Sequence, residues 1–170
     1  RTNSSLKEAI AAASSGDVIY VQPGTYVEAG QIVIDKDLTL IGVDGPGGKP
    51  VVMTDRNTGT SGDARGWWLV PAGNDVTIQN LVLDGSGYNI MQGLRAQGTG
   101  KLEDCDIRNI THPGYNGLGV AVFANWTIAG NVLSNIGRVG VIAFGTGVTG
   151  ATLSGNTYTG KGDGDWLDYG

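Results

Sequence analysis

The sequence predicts an all-β chain wound as a single-stranded parallel β-helix, a solenoid of about 25-residue rungs behind a short N-terminal capping helix. Three observations predict it. Thirty glycines against two phenylalanines in 170 residues, with many Val, Ile, Leu and Thr, match short strands broken by many turns, because Gly supplies the positive φ that tight turns need. Two short phrases recur along the chain. Stacking those phrases sorts most apolar and polar residues into separate columns.

The first element is helical. Ser5-Leu6-Lys7-Glu8 has the S-x-x-E form of a capping box, in which the hydroxyl and the carboxylate satisfy unpaired backbone N–H groups. Leu6, Ala9, Ile10 and Ala13 make one narrow apolar stripe, and Ser14-Ser15-Gly16 supplies a stop. A capping helix is therefore expected over 5–16. Asp17–Val21, Ile32–Ile34 and Leu38–Ile41 then read as strands, with Pro23-Gly24 as the centre of a type II turn. Residues 43–64 are expected to form a loop insertion.

The repeat follows. One phrase starts at Ile78, Leu102, Ile128 and Leu153, at intervals of 24, 26 and 25 residues. The other opens on Gly66, Gly93, Gly119, Gly140 and Gly164, at intervals of 27, 26, 21 and 24. Such a unit buries its inner face only by stacking on its neighbours. Leucine-rich repeats share the length, but no helix-forming stretch recurs and their L-x-x-L-x-L-x-x-N signature is missing. A propeller blade needs a period of about 40 or more. About five or six rungs fit the single 1–170 domain.

The columns assign the faces. In the Gly-led strand, positions two and four (Trp67/Leu69, Leu94/Ala96, Val120/Val122, Val141/Ala143, Asp165/Leu167) are expected inside. Positions three and five are expected outside, placing Trp68, Arg95, Gln97, Phe123, Phe144 and Trp166 on one outer face. In the other phrase Ile78, Leu81, Leu83, Leu102, Cys105, Ile107, Ile128 and Leu133 point inward, and Asn131 and Asn156 stack at a turn, where their amides can bond along a ladder.

The run from Leu6 to Gly42, with S-L-K-E-A-I, G-D-V-I-Y-V-Q-P-G-T-Y and D-L-T-L-I-G, resembles the cap and first rung of pectate-lyase-like right-handed parallel β-helix proteins. V-T-I-Q-N and W-T-I-A-G-N resemble that superfamily's later rungs. The resemblance implies right-handed winding and an extracellular or cell-surface protein that meets polysaccharide. It implies no single activity, since such proteins include uronate lyases, epimerases, glycosidases and non-catalytic adhesins. The W-x-D-H, R-x-P-x-x-R, N-T-D, G-H-G and D-P-H-D runs of the catalytic subfamilies are missing, so no catalytic residue carries over.

The residues themselves narrow the choice. A net charge of −5 disfavours nucleic acid as a partner. No run approaches the roughly 18 apolar residues of a membrane span. Arg95, the basic residue of the outer column, suits a sugar carboxylate or the role of base in a lyase; an ordinary solvated arginine is the plain alternative. The outer aromatics suit a sugar-stacking platform, unless loop 43–64 covers them or they form a protein interface. Asp163, Asp165 and Asp168 offer oxygen ligands for Ca²⁺ on a Gly-rich turn. Asp84 and Arg108 share an outward column and suit an ion pair better than a metal site. Trp126 and Cys105 suit packing, and loop residue His112 suits no defined role. Asn3, Asn109 and Asn125 open N-x-S/T triplets.

The expectation is thus a β-helix module that binds polysaccharide along the face of Trp68, Arg95, Gln97, Phe123, Phe144 and Trp166, with no catalysis claimed. A Ca²⁺-dependent uronate lyase or epimerase using Arg95, and a structural or adhesin repeat, are the alternatives. The repeat is still in progress at Gly164–Gly170, so a larger parent and self-association through the final rung or the aromatic face are also expected.

Overall fold

The computed structural model describes residues 4–113 and 117–162. Helix α1 spans Leu6–Ala12. The first rung consists of β1 (Val18–Val21), β2 (Thr25–Glu28) and β3 (Ile32–Val33). The second is β4 (Leu38–Gly42), β5 (Val51–Thr54) and β6 (Gly66–Val70), and the third β7 (Asp75–Gln79), β8 (Val82–Asp84) and β9 (Gln92–Ala96). The fourth is β10 (Thr99–Glu103), β11 (Asp106–Ile110) and β12 (Leu118–Val122), and the fifth β13 (Trp126–Ala129), β14 (Val132–Ile136) and β15 (Val139–Ala143). The last described strands are β16 (Thr152–Ser154) and β17 (Thr157–Gly160).

Each rung gives one strand to each of three sheets. Sheet A runs β1-β4-β7-β10-β13-β16, sheet B β2-β5-β8-β11-β14-β17 and sheet C β3-β6-β9-β12-β15. All these pairings are parallel. This is the parallel β-helix that the repeat predicts, with six rungs begun among the described residues.

The core is a set of internal files. Val120 pairs with Leu94 on one side and Val141 on the other, while Leu94 pairs with Trp68 and Trp68 with Ile32. Ile32, Trp68, Leu94 and Val120 are fully buried. Burial of each side chain of that class stabilises the fold by about 1.5–3 kcal/mol relative to exposure. The inward residues of the other phrase, from Ile78 to Leu133, are buried as expected.

The sheet A to sheet B corner has its own chemistry. Asn80, Asp104, Gly130 and Gly155 occupy equivalent places there with φ between 52° and 67°, the left-handed region that Asn, Asp and Gly tolerate best. Each is followed by a residue turned into the core: Leu81, Cys105, Asn131 and Asn156. The Asn131 amide donates to the Leu102 carbonyl (2.8 Å) and to Asn156 Oδ1 (2.9 Å), and its Oδ1 accepts from the Cys105 N–H (2.8 Å). Asn156 donates in turn to the Ile128 carbonyl (2.7 Å). Tight corners strand backbone groups in the interior, and the ladder pairs them.

Three expectations need correction. Helix α1 ends at Ala12 rather than near Gly16, because Ala13 is already extended. Lys36 caps it from the next strand connection, donating Nζ to the carbonyls of Ile10, Ala11 and Ala13. Ser5 does cap the helix by accepting from the Glu8 N–H (3.1 Å), but the N–H groups of Leu6 and Lys7 go to the buried carboxylate of Glu28. Second, residues 43–64 are not one loop, since β5 pairs in register with β2 and β8. The short V-V-M-T strand is flanked by turn residues that hide it from pattern reading. Third, Trp68 is inside. The register sets Gly66 against Gln92, not Gly93, which brings Trp68 over Leu94 and Leu69 over Arg95. Trp67 then falls in the column of Gly93, Gly119 and Gly140.

Candidate functional site

The outer face of sheet C carries the residues that remain from the expected binding surface. Arg95 stands outward on β9 between Leu69 and Ala121. Gln97, Phe123 and Phe144 follow their strands in equivalent places, as their N–H groups bond to the carbonyls of Val70, Ala96 and Val122 in turn. The Arg95 guanidinium sits 4.4 Å from the centre of the Phe123 ring. Phe123 in turn stacks on Phe144 at 5.0 Å with an interplanar angle of 19°. Parallel strands set this spacing, because rungs repeat at about 4.8 Å.

A polar cluster completes the face. After β5 the chain crosses to this side and forms a 3-10 turn, Gly62–Arg65. From that turn Asp63 Oδ1 accepts from Arg95 Nε (3.1 Å) and from the Gln97 amide (2.6 Å). Arg95 Nη1 donates to Oε1 of the buried Gln92 (3.2 Å). Gln31 ties the turn down by donating to the carbonyls of Asp63 and Gly66. Asp63 and Gln92 were not among the residues singled out from the sequence. Asp63 lies in a polar loop with no periodic neighbour, and Gln92 sits one place before a glycine that the sequence marks as the strand's start.

The rest of the expected surface is not brought together. Trp68 is wholly buried, its ring meeting Trp67 edge-on at 6.2 Å, and the indole N–H of each has no partner. Orphaned donors of this kind cost about 1–3 kcal/mol each. Trp166 and the acidic trio Asp163, Asp165 and Asp168 lie outside the described residues. Among the described residues no three His, Cys, Asp or Glu side chains gather as metal ligands. No helix among them is long and apolar enough to cross a membrane.

Other residues take the plainer role. Asp84 pairs with Arg108 (2.8 Å) and also accepts from Ser86 and Asn109. Asn109 is tied to Asp84, Ser86 and Asn135, and Asn125 accepts from the N–H groups of Thr149 and Gly150, so these two triplet asparagines serve the fold, while Asn3 lies outside the described residues. Trp126 is buried and donates Nε1 to the Gly98 carbonyl (2.6 Å). Among the described residues His112 meets the Pro113 carbonyl through Nδ1. A groove of about 720 Å³ opens between α1 and β1, lined by residues such as Leu6, Ala9, Tyr20 and Tyr26, and shares no residue with the face of sheet C.

No family model and no curated protein matches this chain. Among solved structures, the pectin methylesterase from Aspergillus niger, in deglycosylated form, is similar over 98% of this chain and 85% of that chain, at 17% identity and a TM-score of 0.46. That likeness supplies neither an activity nor a site residue for this chain.

Proposed function

We propose that the protein is an extracellular β-helix module that binds polysaccharide along the outer face of sheet C, through Arg95, Gln97, Phe123 and Phe144; no catalysis is claimed. The observation that carries this reading is the stack of the Arg95 guanidinium on Phe123 and of Phe123 on Phe144, spaced 4.4 and 5.0 Å, with the Gln97 amide in the same column as the two rings. A sugar chain alternates C–H patches with hydroxyls, and this face sets two ring edges beside a pair of N–H donors. Because the faces of Phe123 are taken by Arg95 and Phe144, a sugar would meet ring edges rather than lie flat on a ring. Arg95 is held by Asp63, Gln92 and Phe123, which suits a positioning cation better than a base.

The same saturation favours a second reading, in which the column is a structural ladder of a surface or adhesin repeat. Affinity electrophoresis separates the two. Wild type is expected to be retarded in gels containing polygalacturonate, alginate or an uncharged polysaccharide, with and without Ca²⁺. Phe123→Ala and Phe144→Ala should lose that retardation while keeping an unchanged circular dichroism spectrum. Equal mobility of wild type and variants in every gel would leave the structural reading in its place.

A further inference from the structure

The Asp63 contact differs from the rest of the face in where its two sides come from. The donors belong to the scaffold. Arg95 lies on β9, its side chain 12% exposed, backed by Gln92 and covered by the Phe123 ring. Gln97 follows two residues later on the same outer face, so the pleat of the strand aims both donors at one point. The acceptor belongs to a surface turn. Asp63 is 55% exposed at its side chain, and the turn is held there by backbone carbonyls accepting from Gln31 as well as by the carboxylate.

A cationic donor and an amide donor converging on a single carboxylate oxygen make a receptor for a carboxylate, and in this structure the receptor holds the chain's own. We propose that Asp63 is an internal competitor: it occupies, on Arg95 and Gln97, the place of a carboxylate borne by an acidic polysaccharide, which must displace it to bind. This rests on the reading that the face binds polysaccharide, and adds that the face is self-blocked. Displacement requires no unfolding, because Asp63 swings into water while Gln31 keeps the backbone of the turn in place. An ion pair whose carboxylate partner is open to water is a weak competitor, so removing it should tighten acidic ligands by about three- to tenfold.

The test uses the full chain as wild type, Asp63→Ala, Asp63→Ser and Asp63→Ala/Arg95→Gln. Each is melted with rising sodium acetate against sodium chloride at matched ionic strength and pH 7. The expected result is a saturable acetate-specific rise in Tm of about 3 °C for both single variants, the same rise for wild type only at about three- to tenfold higher acetate, and none for the double variant. In gels containing polygalacturonate the single variants should be retarded about three- to tenfold more strongly than wild type, with no change in an uncharged polysaccharide. If acetate does no more than chloride for Asp63→Ala and Asp63→Ser, the competitor idea is overturned. If acetate stabilises both but no variant is retarded by any polysaccharide, the carboxylate receptor and its internal occupant stand, and the polysaccharide reading falls.

Discussion

Trp68 lies directly over Leu94 in the interior of the helix, with Ile32 on its other side. Its ring therefore fills core volume at the second rung. Trp68→Ala is expected to destabilise the protein by about 3–5 kcal/mol in urea unfolding. Trp68→Phe removes the orphan indole N–H while keeping most of the ring, so its cost should stay below about 2 kcal/mol. Equal losses for the two variants would mean that volume at Trp68 is not what the core needs.

Asn131 is a polar residue that the interior requires. It is fully buried and pairs with the Cys105 N–H, the Leu102 carbonyl and Asn156. Asn131→Leu supplies apolar volume but orphans those groups, and should cost about 3 kcal/mol or more. Cys105 holds the preceding place in the same column, with Sγ directed at the carbonyls of Glu103 and Ile78. Cys105→Asn would carry the ladder one rung further, with an amide reaching the Ile78 carbonyl and Asn131. Its stability should stay within about 1 kcal/mol of wild type or rise above it, whereas Asn131→Leu should fall well below.

These residues also show what the sequence makes legible. The 24–26-residue interval carries the inner files and the asparagine ladder directly, because a parallel stack puts like over like. Register at β6 is different. Gly66 looks like the glycines at 93, 119 and 140, yet burial of Trp68 and Val70 sets the phase one residue away, as a shift by one exchanges the two faces. The candidate site was legible only where it lies on strands or continues their register. Arg95, Gln97, Phe123 and Phe144 fall in the two predicted outer columns, but Asp63 arrives from a turn whose place no periodicity fixes. Glu28 is similar: a lone Glu in a strand pattern gives no sign that it caps a helix whose first residues lie 22 and 21 positions earlier.

Asp84 should make the protein acid-sensitive. Burial pushes its carboxyl up, but hydrogen bonds from Asn109, Ser86 and Arg108 together outweigh that and hold it below its ordinary value of 3.8. A depressed folded value means that the carboxylate's contribution is fully present above the unfolded value and fades as pH falls through the folded one. Asp84→Asn should cost about 1–3 kcal/mol at pH 7. The gap to wild type should then narrow steadily below about pH 4 in denaturant titrations, and a gap that stays constant to pH 2 would remove Asp84 from the acid response.

Cys105 should act in the opposite direction and at the other end of the scale. Burial pushes its thiol up to about 12, against 9.0 for an exposed cysteine, because the thiolate has no water to solvate it. The folded value lies above the unfolded one, so the contribution is complete below pH 9 and is lost as pH rises from there towards 12. Wild type should accordingly lose stability faster than Cys105→Ala across that window, by up to roughly one kcal/mol per pH unit. The same burial makes the thiol a reporter. At pH 8 a thiol-reactive dye should label native protein only at the rate of global opening, since local fraying does not reach a fully buried interior column. Labelling that is fast and independent of added urea would mean that the corner at Cys105 opens by itself, and the alkaline slope would then have another source.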